Sequence, residues 1–198
     1  YYFDINPAKS FKTSELTNQE VLLWAADYIG NLNGADYNDL ETLASDYLDF
    51  SLEPENILCM THSNILGSSD YTYLYDVETK TFVKNDHHAS HSVSGFYSDV
   101  ANKYAESKYE NGDFIISVYK IFSETNYYPG ASKQVKREYY NSYSDAKNKS
   151  DNIVAHGLKP EDAKKKIEEI DISKLKKYTY VFKLKNDNFV LKSYQIGE

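Results

Sequence analysis

At 198 residues, 41% of them hydrophobic and 26% charged, the chain has globular composition and can bury roughly 70% of its unfolded surface without a disulfide or a metal. Its longest apolar runs, Val21–Ala26 and Phe114–Ile116, fall far short of the roughly 20 residues of a membrane-spanning helix, and a formal charge of −8 disfavours binding to nucleic-acid phosphates. The one cysteine, Cys59, excludes a disulfide framework and a multi-thiolate zinc site and is expected to pack as a small buried hydrophobe.

Residues 1–15 show no period and read as an irregular segment ahead of a single α+β domain over 16–198. The first residue, Tyr1, reads as the end of a processed or excised chain. Thr17-Asn18-Gln19-Glu20 is a capping box, and Leu22, Ala26 and Ile29 recur at helical spacing, which predicts a helix over 17–33. Asp36 caps a second helix carrying Tyr37, Leu40, Leu43, Ala44, Tyr47 and Leu48. Residues 57–61 read as a short strand, and Gly67-Ser68-Ser69-Asp70 as a turn. Tyr71, Tyr73 and Tyr75 alternate with Thr72, Leu74 and Asp76, a strand that pairs with 81–84 as a hairpin. A third helix is predicted over 95–110, capped by Ser94 and ended by Asn111-Gly112, because Phe96, Tyr97, Val100, Ala101, Tyr104 and Ala105 fit one helical stripe. Residues 113–122 form a strongly apolar, central strand, and 134–143 alternate weakly. Residues 144–156 fit neither period; a short charged helix follows Pro160, with Ala163, Ile167 and Ile170 inward. The chain closes with a hairpin, 178–185 and 189–196, about Asn186-Asp187.

Helices gather early and antiparallel strands late, which predicts an α+β fold with a curved antiparallel sheet and helices on one face. The order of elements, the central Gly-Asp-Phe-Ile-Ile-Ser-Val-Tyr strand and the closing Tyr-Thr-Tyr-Val-Phe-Lys-Leu-Lys and Phe-Val-Leu-Lys-Ser-Tyr arms resemble small exported and lipoprotein domains of low-GC Gram-positive bacteria. The cell-wall endopeptidase inhibitors are one group of these. The resemblance implies a cystatin-like or nuclear-transport-factor-like cone and a place outside the cytoplasm; it transfers no functional residues. The composition agrees with it: 20 tyrosines, and 22 basic residues of which Arg137 alone is arginine.

Asp86-His87-His88-Ala89-Ser90-His91 holds three imidazoles, with His87 and His91 at i, i+4 if helical. The zincin spacing is absent, so His87, His88 and His91 read as a solvated loop before they read as a metal site. No nucleophile elbow, phosphate loop or dinucleotide fingerprint occurs, and no cofactor is expected. The tyrosines are the most unusual feature: their large rings and polar tips suit recognition surfaces. Tyr71, Tyr73 and Tyr75, with Tyr178 and Tyr180, are the candidate binding residues. They are expected to face away from the helices, leaving Leu74, Val181, Phe114 and Ile116 to meet them. These readings favour a non-enzymatic binding module for a protein, peptide or cell-wall fragment. An endopeptidase-inhibitor-type protein and a carboxylate hydrolase are the alternatives.

Overall fold

The computed structural model describes residues 5, 9–30, 32–58, 71–85, 96–126, 137–157 and 162–197. Cys59, His62, the turn at 67–70 and the His87–His91 loop lie outside them. The fold is α+β with a mostly antiparallel sheet. The chain divides into two compact units, one of residues 1–6, 11–91 and 183–192, the other of 7–10, 92–182 and 193–198.

In the first unit, β1 (Phe11–Lys12) precedes α1 (Asn18–Ile29), α2 (Tyr37–Leu48), β2 (Ile57–Leu58), β3 (Tyr71–Asp76) and β4 (Thr81–Lys84). The capping box forms as the sequence dictates: Thr17 Oγ1 accepts from the Glu20 amide at 3.3 Å, and Glu20 Oε2 accepts from the Thr17 amide at 2.9 Å. The first helix stops four residues before its expected end. Gly30 takes the left-handed φ of +78° that favours glycine, and its amide closes on Ala26 O at 3.0 Å. Asp36 Oδ1 caps α2 by accepting from the Asn38 amide at 2.8 Å. Val21, Leu22 and Ala25 of α1 and Leu40, Ala44 and Leu48 of α2 are buried, as the stripes require. The loop between the helices is laid along β4: Phe82 donates to Ala35 O and accepts from the Gly34 amide, at 3.1 and 2.8 Å. These bonds satisfy the outer edge of the β2–β3–β4 sheet.

The second unit holds β5 (Phe96–Glu110), β6 (Asp113–Asn126), β7 (Arg137–Tyr140), α3 (Tyr143–Asn148), β8 (Ile153–Gly157) and α4 (Asp162–Glu169). The hairpin of β9 (Lys177–Lys185) and β10 (Asn188–Ile196) belongs to it except at the turn end, 183–192. Hydrogen-bonded neighbours run β1-β10-β9-β6-β7-β8, and β5 pairs with β6.

The helix expected over 95–110 is instead β5, antiparallel to β6 from Phe96↔Asn126 to Glu110↔Asp113. Asn111 and Gly112, at φ +53° and +84°, form the two-residue turn between them, the strongest short hairpin signal. The apolar spacing misled because residues four apart fit a helical stripe and, four being even, one side of a strand equally. The register with β6 runs unbroken from Phe96 to Tyr104 and shifts once, between Tyr104 and Glu106. The ambiguous stretch 144–156 resolves into all of α3 but its first residue and all of β8 but its last. The two faces of β6 are filled differently. Ile121 packs with Ala101, Tyr139 and Leu175, and with Ala163 and Ile167 of α4. Phe122 points the other way and meets Tyr143 of α3 edge-on, with ring centroids 6.1 Å apart.

Candidate functional site

The five tyrosines singled out by alternation fall in both units, Tyr71, Tyr73 and Tyr75 in the first and Tyr178 and Tyr180 in the second. Tyr71 lies in β3, paired with Leu58. Tyr73 pairs with Lys84 and is half-buried. Tyr75 pairs with Phe82 and packs against Phe82 and Tyr37 of α2, with centroids 5.6 and 5.7 Å away. The expected orientation is therefore reversed at Tyr75: the ring faces α2, and Leu74 and Val83 on the opposite side are 39% and 45% exposed. A Tyr–Phe cross-strand pair buries more apolar area against the helix than a Leu–Val pair.

In the second unit Tyr178 and Tyr180 do come together, in an aromatic core. Tyr178 is 0% exposed; it stacks on Tyr194 at 6.0 Å, meets Phe122 edge-on at 5.7 Å, and its hydroxyl donates to Asn141 O at 2.7 Å. Tyr180 lies 5.1 Å from Tyr194 and stacks on Phe182 at 6.4 Å. Lys120, itself 1% exposed, places Nζ 5.5, 5.1 and 5.6 Å from the ring centroids of Tyr178, Tyr180 and Tyr194. Cation–π attraction of this kind helps a buried ammonium bear the loss of water. Tyr178, Tyr194 and Lys120 are buried in this group, and Tyr180 is half-buried. Tyr140, on the same side of β7 as Phe122, has its phenol pushed up to about 12, first by burial and then by Glu138, whose Oε2 accepts its proton at 3.0 Å.

The carboxyl groups displaced from their ordinary range have structural causes. Lys183, then Lys185, bond Asp49 and hold its carboxyl down. The backbone amides of Thr79 and Glu78 do the same for Asp76 in the β3–β4 turn. The Ser142 hydroxyl, followed by Ser150 and Asn152, lowers Asp145. Among the described residues no three His, Cys, Asp or Glu side chains gather as a metal set. His156 is exposed in β8.

An aromatic group does reach the surface, on the helix pair. Trp24 and Tyr28, four residues apart on α1, share a face and lie 5.9 Å centroid to centroid. Tyr47 of α2 joins them at 6.4 and 5.7 Å. The three rings are tilted by 39° to 66° to one another. Trp24 is buried, Tyr47 half-buried, and Tyr28 is 40% exposed. A hydrogen bond with Tyr47, then burial, raises the Tyr28 phenol above its ordinary value, so that ring is neutral near pH 7.

The charge around this group is one-sided. Between Lys12 and Lys80 the sequence carries thirteen Asp and Glu and no Lys or Arg, so that stretch stands at −13 and the rest of the chain at +5, against −8 overall. Asp39, Glu41 and Asp46 are exposed on α2. Asp39 and Asp46, seven residues apart, share one side of α2, about a quarter turn round the helix from Tyr47. Sequence reasoning that ranked tyrosines by strand alternation passed over Trp24, Tyr28 and Tyr47. The signal that finds them is their helical spacing joined to this charge segregation, which a whole-chain net charge conceals. Comparison of the chain with protein-family models, curated proteins and solved structures gives no match.

Proposed function

We propose that the chain is a non-enzymatic binding module that works outside the cytoplasm and holds a protein, peptide or cell-wall fragment through the α1–α2 face. The observation that carries this reading is the Trp24–Tyr28–Tyr47 group, an aromatic cluster on the helix pair that reaches the surface at Tyr28. Aromatic rings supply large contact area at small entropy cost and recur as anchors of recognition surfaces. The displaced carboxyls described above belong to turns, caps and ion pairs, which favours binding over carboxylate hydrolysis. The place outside the cytoplasm rests on composition and on the resemblance to exported domains.

The test compares immobilised wild type with Tyr28→Ala for capture of cell-wall fragments and extracellular peptides. The variant is expected to keep the melting temperature and lose capture. Capture that survives the substitution would remove the α1–α2 face from the account.

A further inference from the structure

The occupant of this face can be assigned by charge. We infer that it is a cationic peptide segment, an extended stretch of protein presenting lysine or arginine side chains; the inference rests on reading the Trp24–Tyr28–Tyr47 face as the binding surface. The faces of indole and phenol rings carry negative charge density and attract an ammonium or guanidinium within about 6 Å of the ring centre. Tyr28 offers such a ring, neutral and 40% exposed.

The surroundings select the same sign. Some carboxylates of the protein have lysine partners: Asp49 with Lys183 and Lys185, Glu106 with Lys177, Glu168 with Lys103, Glu110 with Lys108. Asp39 and Asp46 are exposed on α2 and, like Glu41 on the same helix, make no ion pair among the described residues, so the helix presents uncompensated negative charge. Asp46 also stands in the last turn of α2, at the negative end of the helix, and no basic residue is there to offset it. The sequence thus keeps a carboxylate where the helix disfavours one, one position before Tyr47.

Other occupants fit less well. A neutral sugar stacks on a flat exposed ring, and these rings are tilted by at least 39° to each other. An anionic polymer is repelled by the −13 stretch. A bare metal ion finds no group of three ligating side chains among the described residues.

The experiment titrates the whole chain with acetylated, amidated hexalysine and follows both heat and the emission of Trp24, the one tryptophan. The expected result is saturable binding that weakens with salt and is lost with the hexamer of Nε-acetyl-lysine. Tyr28→Ala should weaken it by about three- to fivefold, the range of an exposed cation–π contact. The pair Asp39→Asn with Asp46→Asn should weaken it by a similar factor, and Glu78→Gln with Asp187→Asn, which removes the same charge elsewhere, should not. Equal weakening by the two pairs, or equal binding of the acetylated hexamer, would overturn the inference. So would absence of binding. If hexalysine fails while capture of cell-wall fragments still depends on Tyr28, the cationic occupant is discarded and the face is retained; if both fail, the binding reading goes with it. A Tyr28-dependent dimer seen by sedimentation would replace the peptide by a second copy.

Discussion

Two tyrosines with the same side chain have opposite tasks. Tyr178 is enclosed by Phe122 and Tyr194 and donates to Asn141 O, whereas Tyr28 stands half in water. Replacing Tyr178 by alanine should therefore cost about 3–5 kcal/mol in denaturant unfolding, and replacing Tyr28 less than about 1 kcal/mol. Similar losses at both positions would contradict the distinction. Alternation identified Tyr178 as sharing a face with Tyr180, but not whether that face is inside, because the covering side chains come from β6 and β10, distant in sequence. Asp145 supplies a pH test. The Ser142 hydroxyl, then Ser150 and Asn152, holds its carboxyl below 3.8. A folded value below the unfolded one means that the unfolded chain takes up the proton first as acid is added. The contribution is complete above about pH 4 and fades as pH falls through the folded value. In Asp145→Asn that acid-limb loss should be absent; an unchanged slope between wild type and variant would show that the carboxyl is not held.

Helices α1 and α2 were legible because their signals are local: a capping box at Thr17, a cap at Asp36 and apolar stripes that the structure buries. Thr17→Ala should cost roughly 1 kcal/mol of stability, read from the denaturant midpoint. Strand β5 was not legible as a strand, since its apolar residues recur four apart, a spacing that fits helix and strand alike, and its partner lies across the turn. The Asn111-Gly112 turn makes this checkable: Gly112 at φ +84° should resist alanine by about 1–2 kcal/mol. A gain of stability in Gly112→Ala would contradict the positive φ. At α2 the helix dipole and the proposed binding pull in opposite directions. Asp46→Lys should raise stability by about 0.3–1 kcal/mol, by thermal unfolding, while weakening a cationic ligand. A variant that is both less stable and unaltered in binding would leave Asp46 with neither role.

At the scale of the molecule the informative quantity is the distribution of charge, not its sum. The chain divides into two compact units, and the first contains the two helices that carry the aromatic group. A net charge of −8 is ordinary; a stretch from Lys12 to Lys80 without one lysine or arginine is not. That segregation was present in the sequence. The ring contacts between Trp24, Tyr28 and Tyr47 were not, because they depend on how α1 lies against α2. The central claim is that this face binds. Its most direct measurement is a backbone amide shift map recorded while hexalysine is titrated into isotopically labelled protein. Shifts concentrated in 18–29 and 37–48, and absent from the same residues in Tyr28→Ala, are the predicted result. Shifts spread over the chain, or gathered on β5 and β6, would contradict it.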